Sequence, residues 1–227
     1  MENALLKLHG FPVSNYTNMV HLALLEKGLP FEYVTAYPDQ GEAFLAKSPR
    51  GKVPCLETPR GFINEASVIL EFLEDSGTGK PLLPADPFLK AQARALVKEI
   101  ELYIELPARS CFLEAIFGLS TPAAIKEKAC SELVAGFATL KRHGKFAPYV
   151  AGDTFTLADI VFLYSVDVAA LVAQRQFGLD VFADLPAGRD LLRRLGENPN
   201  VQAIAKRRDA ETPGFIAAVR ARYQGAK

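Results

Sequence analysis

The sequence has little that would indicate a charged macromolecular partner. Its 26 Lys and Arg residues balance its 26 Asp and Glu residues, so the formal net charge is zero. Proteins that bind nucleic acid or anionic membranes usually carry an excess of positive charge, and we therefore expect neither partner. Hydrophobic residues make up 49% and charged residues 23% of the 227-residue chain, which is typical of a soluble globular protein with a full core.

Cysteine is scarce as well. Cys55, Cys111 and Cys130 are odd in number and far apart, and the sequence contains neither a Cys-x-x-Cys motif nor a His pattern near them. This arrangement argues against a disulfide framework and against a zinc site. We expect reduced thiols and no bound metal.

Long apolar runs and targeting signals are also missing. The longest apolar stretch covers residues 157–173, but Asp159 and Asp167 interrupt it and it is short for a membrane span. The N-terminus has no basic patch ahead of an apolar run, as a secretory signal would have. These features predict a cytoplasmic protein. The sequence also contains no internal repeat of about 20 to 50 residues and no low-complexity segment.

The zero net charge hides a difference between two parts of the chain. Residues 1–80 carry a net charge of −3 and residues 81–227 a net charge of +3. Gly and Pro cluster over 76–84, between two strongly patterned regions, as in a linker. We therefore predict two domains, 1–79 and 86–227, joined by a linker over 76–85.

The first part shows short, mixed elements. The patterns predict strands over 4–8, 31–36, 53–58 and 61–64, and helices over 16–27, 42–46 and 66–75. Their order is βαβαββα, with a hairpin turn around Pro59 and a helix end at Gly28. This is an α/β domain.

Helical patterns dominate the second part. We predict helices over 88–117, 123–140, 156–173, 188–196, 199–208 and 213–223. The first should bend at Pro107, because proline removes a backbone donor and clashes with the preceding turn. A small α/β domain thus precedes a larger all-helical one.

Ser14 is the first residue whose position suggests chemistry. It lies where the loop after the first strand enters a helix, and the free N–H groups and positive end of a helix stabilise an anion such as a thiolate. Serine is also a preferred helix N-cap, and most such serines only satisfy backbone donors. The position alone leaves both interpretations open.

Two further segments offer backbone groups to a ligand. If the Val53–Pro54 bond is cis, Val53 can present its N–H and C=O to a peptide-like ligand, with Lys52 meeting a carboxylate. Otherwise Pro54 is an edge-strand proline and Lys52 a surface charge.

The second of these segments is the start of the helix at 66–75. Its N–H groups suit a carboxylate, and Glu65 suits an ammonium group. Alternatively, Glu65 and Ser67 only complete the first helical turn.

Thr156 and Asp159 have a structural interpretation only. A threonine followed three residues later by an acid is a variant of the capping box, which satisfies the free donors of a helix start. We expect Asp159 to stabilise the fold and to have no catalytic role.

Taken together, Ser14, Lys52-Val53-Pro54, Glu65-Ala66-Ser67 and Phe155-Thr156-Leu157-Ala158-Asp159 resemble the cytosolic glutathione transferases. The resemblance covers nearly the whole chain, and the order and spacing of the motifs make it specific. It implies a thioredoxin-like domain with a mixed four-stranded sheet that binds glutathione. It also implies an all-helical domain that shapes an electrophile pocket, and a homodimer.

The resemblance assigns roles residue by residue. Ser14 matches the catalytic serine of the theta-, phi-, tau- and delta-like classes, fourteen residues before Gly28. Val53 precedes the position of the family's cis-proline, here Pro54, and pairs with the cysteinyl part of glutathione. Lys52 lies where several classes contact the glycyl carboxylate, and Glu65 matches the acid that holds the γ-glutamyl group.

Ala66 departs from the family pattern, which usually has Ser or Thr there. We expect glutathione binding to weaken by about 1 to 2 kcal/mol through the lost hydroxyl, unless Ser67 compensates. Tyr16, Tyr103, Leu106 and Phe112 are candidate residues of the electrophile pocket, although aromatic residues at such spacing are more often core.

The expected activity is conjugation of the glutathione thiolate to small hydrophobic electrophiles, with glutathione as co-substrate and no metal. Two alternatives stay open. One is a non-catalytic binding or regulatory protein of the same fold, suggested by Ala66. The other is the same fold acting as a glutathione-dependent peroxidase, dehalogenase or isomerase.

Overall fold

The computed structural model of the protein describes residues 5–224. The N-terminal part contains four strands and three helices in the order βαβαββα, as the sequence predicts. They are β1 (Leu6–Gly10), α1 (Asn15–Lys27), β2 (Phe31–Thr35), α2 (Glu42–Leu45), β3 (Cys55–Thr58), β4 (Gly61–Asn64) and α3 (Ala66–Asp75). The first strand was expected over 4–8. It ends two residues later, and Ala4 lies outside the described residues.

The four strands form one mixed sheet in the order β2-β1-β3-β4. β1 runs parallel to β2 and antiparallel to β3, and β3 runs antiparallel to β4. Because side chains alternate between the faces of a strand, Leu8 and the cross-strand Leu56 point to one face, where both are fully buried. The sheet is therefore the mixed sheet of a thioredoxin-like fold.

The C-terminal end of α1 is tied to α3 and to the segment that follows it. Gly28 ends α1 in the left-handed conformation with φ of 66°. The Lys27 ammonium forms a buried ion pair with Glu74 and also donates to the carbonyl of Lys80 over 3.1 Å. Glu74 in turn accepts from the N–H of Leu82 over 3.1 Å. One buried charge pair thus fixes the chain where it leaves α3.

The remaining described elements are all helical, as predicted. They are α4 (Pro87–Ile100), a π-helical segment (Glu101–Glu105), α5 (Leu106–Phe117), α6 (Ala123–His143), α7 (Leu157–Phe177), α8 (Pro186–Gly196) and α9 (Pro199–Gln224). α7 packs against α4, α5, α6 and α8. Within residues 5–224, α7 is also the helix whose length and apolar composition would suit a membrane span, but 67% of its apolar stretch is buried, as in a core helix.

Two helix predictions need correction. The expected single helix over 88–117 is α4, the π segment and α5 in succession, and the π segment lies directly before Pro107. Because Pro107 has no N–H, the carbonyl four residues earlier, that of Tyr103, loses its α-helical donor, and the helix changes its hydrogen-bond spacing there. The expected helices over 199–208 and 213–223 are one continuous helix, α9, with Pro213 inside it. One missing hydrogen bond does not end this helix.

Contacts divide the chain into two compact units. The first contains residues up to Leu82 together with Pro199–Thr212, the first half of α9. The second contains Leu83–Asn198 and the part of the chain that begins at Pro213. The limits 1–79 and 86–227, with a linker over 76–85, stay a prediction of the functional domains.

Candidate active site

The pairing register brings the predicted glutathione-binding segments to one edge of the sheet. His9 in β1 pairs with Cys55 in β3, and Cys55 pairs with Asn64 in β4. Since β3 is antiparallel to both neighbours, the end of β1, the start of β3 and the end of β4 lie at the same edge. The loop to Ser14, the segment before Cys55 and Glu65 all adjoin this edge, and α1 and α3 begin there.

Ser14 is the N-cap of α1, with φ of −77° and ψ of 112°. Its Oγ accepts a hydrogen bond from the N–H of Thr17 over 3.2 Å. The Ser14 hydroxyl donates to no other residue in the described part of the chain. The N-cap role and a catalytic role are therefore compatible, because capping uses a lone pair of the oxygen and leaves its proton for a ligand.

The Val53–Pro54 peptide bond is cis. Val53 lies outside the β3 ladder, whose pairing begins at Cys55, while Pro54 is buried. The main chain of Lys52 is held by Ser48, whose Oγ accepts from the Lys52 N–H over 3.2 Å and donates to the Lys52 carbonyl over 2.8 Å. The Lys52 side chain is exposed. This segment has a fixed main chain and a solvent-facing charge.

Glu65 has a backbone conformation that is rare for a residue with a side chain, with φ of 66° and ψ of 119°. Such outliers cost roughly 1 to 3 kcal/mol and concentrate at functional sites. Glu65 is exposed and is the N-cap of α3, but its side chain makes no capping hydrogen bond. Ala66 follows at 7% exposure and Ser67 is half-buried. The start of α3 thus offers backbone donors that no cap side chain occupies.

Two further features at this edge were missed by the sequence analysis. Asn18 is 1% exposed, and its side-chain amide donates to the carbonyl of Pro12 over 2.8 Å. The ring of Phe11 stacks on that of Tyr37, with 4.9 Å between ring centroids, just beyond the end of β2. A polar residue at a buried helix position is the signal that points to Asn18. The Phe11–Tyr37 contact depends on strand pairing, which no local pattern contains.

The candidate electrophile-pocket residues have different environments. Tyr16 is half-buried in α1, in the first unit. Tyr103 and Leu106 are 53% and 48% exposed in the second unit. Phe112 is half-buried, with the Arg109 guanidinium 4.6 Å from its ring centroid and the Phe117 ring at 6.0 Å.

A groove of about 500 Å³ lies in the second unit. Leu106 lines it, whereas Tyr103 and Phe112 do not. Its lining residues are Leu102, Leu106, Pro107, Ser110, Ala124, Ile125, Lys128, Ala129 and Glu132. The groove is therefore mostly apolar, with one basic and one acidic side chain among its walls.

The structure contains the capping box that Thr156 and Asp159 were expected to form. Asp159 is fully buried and accepts from the N–H of Val150 and the N–H of Thr156, each over 2.8 Å. The Thr156 hydroxyl adds a third hydrogen bond over 3.2 Å. Burial raises the pKa of Asp159 from 3.8 to about 6, against the lowering effect of these donors.

No group of three or more His, Cys, Asp or Glu side chains within residues 5–224 could hold a metal ion. The three cysteines are free, and Cys55 and Cys111 are buried. Burial raises the pKa of the Cys55 thiol to about 11. Cys55 is therefore a poor nucleophile at neutral pH, although it lies at the start of β3 near the candidate site.

A thioredoxin-like sheet with helix starts at one edge, followed by an all-helical region, defines the class of thioredoxin-fold proteins that carry a helical domain. Comparison with known proteins identifies the family within this class. Residues 8–81 match the glutathione S-transferase N-terminal domain. A glutathione S-transferase of Pseudomonas putida is 57% identical over 216 residues, which cover 95% of this chain and 98% of that protein.

Two other relatives are more distant. A maleylpyruvate isomerase of a Ralstonia species is 32% identical, over 78% of this chain and 85% of that protein. The crystal structure of a glutathione S-transferase of Methylobacterium radiotolerans in complex with glutathione sulfonate is 29% identical, with a TM-score of 0.70 over 88% of this chain and 94% of that one. The chain belongs to the glutathione S-transferase family. It is a glutathione transferase, with glutathione as co-substrate.

Proposed function

We propose that the protein conjugates glutathione to small hydrophobic electrophiles and that Ser14 stabilises the reacting thiolate. The observation that carries this proposal is the shared sheet edge: Ser14, Val53 and Glu65 adjoin the same ends of β1, β3 and β4. A tripeptide bound along this edge meets one serine hydroxyl, one unpaired strand segment and one helix start. Each offers a different chemical group.

The assignments along glutathione follow from these groups. Ser14 donates its hydroxyl hydrogen to the sulfur, because that hydrogen is not used within the described residues. Val53 pairs its main chain with the cysteinyl residue, as an added strand would. Glu65 receives the γ-glutamyl ammonium, while the N–H groups of Ala66 and Ser67 face its carboxylate. Lys52 meets the glycyl carboxylate.

The energies are sufficient for this mechanism. A free thiol has a pKa near 8.5, and lowering it by about two units requires about 2.7 kcal/mol in favour of the thiolate. One hydrogen bond to a charged group contributes about 1.5 to 3 kcal/mol. The positive end of a helix adds about 0.3 to 1 kcal/mol. Ser14 and the start of α1 together supply both, so the thiol proton passes to solvent water and the step needs no general base.

The thiolate then attacks an electrophilic carbon held in an apolar pocket. Tyr16, Tyr103, Leu106 and Phe112 are the proposed pocket residues, and the exposure of the Tyr103 and Leu106 side chains supports contact with a ligand. The thiolate sulfur forms the new bond to carbon, and the leaving group departs with its electron pair.

The test is replacement of Ser14 by Ala, with turnover measured on glutathione and a generic aryl halide. We expect kcat/KM to fall at least tenfold and the thiol pKa in the glutathione complex to rise. Ser76→Ala is the matched control, because Ser76 ends α3 and bonds locally to Leu73 and Thr78. Unchanged turnover in Ser14→Ala would remove Ser14 from the mechanism.

The similarity to a maleylpyruvate isomerase over 85% of its length supports a second candidate reaction. In such a reaction the thiolate adds to a conjugated double bond, the carbon–carbon bond rotates, and the thiolate leaves again, so glutathione is not consumed. Incubation with maleylpyruvate and a catalytic amount of glutathione tests it. Formation of the isomer without a glutathione adduct would favour this activity, and adduct accumulation would favour conjugation.

We also propose a cytoplasmic homodimer. The first unit exposes apolar side chains on α3 and on the edge strand β4: Val68 at 52%, Phe72 at 36% and Phe62 at 39%. Val68 and Phe72 are four residues apart and therefore share one side of the helix. Analytical ultracentrifugation should give twice the chain mass, and Phe72→Glu should shift it toward the monomer. A monomeric wild type would contradict the proposal.

A further inference from the structure

The loop that carries Ser14 is held by a residue with no assigned role. Asn18 lies one turn into α1 and is 1% exposed. A buried amide is costly unless it is hydrogen-bonded, and among the described residues the Asn18 Oδ1 has no partner, so the Nδ2 group makes the one hydrogen bond of this side chain. Its side-chain nitrogen donates to the carbonyl of Pro12 over 2.8 Å, in the loop two residues before Ser14.

Asn18 contacts the loop on both sides of Val13. Its own backbone N–H donates to the carbonyl of Ser14 over 3.0 Å, as helix geometry requires. The side-chain bond to Pro12 is additional, because neither the helix nor its cap needs it. Pro12 has no N–H, so its carbonyl is its one backbone hydrogen-bonding group. Asn18 therefore fixes the main chain both before and at the catalytic position.

Other contacts leave this loop little freedom. The Ser14 N–H donates to the carbonyl of Phe11 over 3.0 Å, which closes a tight turn. At Gly10 a Cβ atom would lie 2.4 Å from the Thr17 hydroxyl oxygen, so the end of β1 is pressed against the first turn of α1. The Asn18–Pro12 bond is a side-chain link between the helix and this loop.

We infer that Asn18 is a positioning residue for the reaction: its amide fixes the Pro12–Ser14 main chain and with it the direction of the Ser14 hydroxyl. This inference rests on the proposed role of Ser14. Small displacements of a group that contacts the reacting atom cost large factors in rate, whereas the glutathione contacts proposed at Val53 and Glu65 belong to other segments of the chain. Loss of the amide should therefore affect the thiol more than the affinity.

Asn18→Leu is the main variant, because leucine has a similar branched shape and no donor. We expect kcat/KM with an aryl halide to fall about tenfold. The pKa of the bound glutathione thiol, followed by the ultraviolet absorbance of the thiolate, should rise by at least about half a unit. The dissociation constant of glutathione should change by less than about threefold. Asn18→Ala is the second variant, for the case that leucine disturbs folding.

Val20→Ala is the matched control, since Val20 is a fully buried residue of the same helix whose side chain has no hydrogen-bonding group. It should lower the melting temperature without moving the thiol pKa. A cycle with Ser14→Ala tests whether Asn18 acts through Ser14. In the Ser14→Ala background the Asn18 substitution should have little further effect on the thiol pKa or on kcat/KM.

The outcomes separate the two proposals. If Ser14→Ala alone changes neither the thiol pKa nor turnover, the proposed role of Ser14 is wrong. If Ser14→Ala is impaired but both Asn18 variants keep the wild-type thiol pKa and rate, the positioning role is overturned while the function stands. Additive effects of Asn18→Leu and Ser14→Ala would also overturn it, because Asn18 would then act independently of the serine.

Discussion

Replacing Asp159 by Asn should give a stability defect that grows as the pH falls, the reverse of what is expected for an ion-paired carboxylate whose pKa is lowered. Asp159 accepts from two backbone N–H groups and one hydroxyl and is fully buried. Asparagine has the same shape, but it has one acceptor oxygen. Its NH2 group would face an N–H or O–H donor of Val150 or Thr156. Its loss of hydrogen bonds is partly offset, because the neutral amide removes the cost of burying a charge.

The pH dependence follows from the pKa of Asp159, which burial raises from 3.8 to about 6. A carboxyl with a raised pKa binds its proton more tightly in the folded state, so it contributes stability at low pH that is lost as the pH rises through about 6. Between about pH 7 and about pH 5 the linkage amounts to about 1.4 kcal/mol. Asparagine does not titrate, so the variant lacks this pH-dependent contribution to the free energy of unfolding.

At about pH 7 we expect Asp159→Asn to cost about 1 to 3 kcal/mol, because the amide offers one acceptor oxygen where the carboxylate offers two and leaves buried donors unpaired. At about pH 5 the difference from wild type should be larger by about 1.4 kcal/mol. Urea unfolding at both pH values, followed by circular dichroism, measures it. A defect that stays constant or shrinks on acidification would refute the reasoning.

Three further predictions use other sites. Ala66→Ser should tighten glutathione binding up to about tenfold, by restoring a hydroxyl at the start of α3; calorimetric titration that shows equal or weaker binding would contradict this. Gly136→Ala should destabilise the protein by about 2 to 4 kcal/mol in a thermal melt, because its Cβ would lie 2.3 Å from the Tyr103 carbonyl oxygen. Gly214→Ala is the control: a Cβ there lies in open space on α9, so this variant should be neutral or stabilising in the same melt. A thiol reagent at about pH 8 should modify the half-buried Cys130 before the buried Cys55 and Cys111, and peptide mapping that finds Cys55 modified first would be inconsistent with its raised pKa.

The sequence predicted the elements whose ends are marked by local chemistry. β4 and α3 have the predicted bounds, because a Pro-Arg-Gly turn precedes the strand and helical spacing of apolar residues defines the helix. α1 ends at Gly28 as expected, since the left-handed conformation there favours glycine. The capping box at Thr156 is likewise a local pattern.

The features that the sequence did not predict depend on contacts between distant residues. The extension of β1 to Gly10 follows from its pairing with β2, where Gly10 faces Thr35. The π segment reflects both Pro107 and the close approach of Gly136 in α6 to the Tyr103 carbonyl. For the site, helix starts and the Val53–Pro54 motif were visible in the sequence, whereas the buried amide of Asn18 needs the three-dimensional register of helix and loop.

The inclusion of Pro199–Thr212 in the first unit has a consequence for biosynthesis. Within that unit, Asn200 donates to Glu26 over 2.8 Å and the Arg207 guanidinium lies 4.2 Å from the ring centroid of Tyr33. The ribosome makes the sheet first and this helical piece after all of Leu83–Asn198. The nascent glutathione-binding unit therefore lacks these contacts at Glu26 and Tyr33 while all of Leu83–Asn198 is made. Until the helical piece is made, this surface lacks those contacts, which is the kind of transient exposure that chaperones protect.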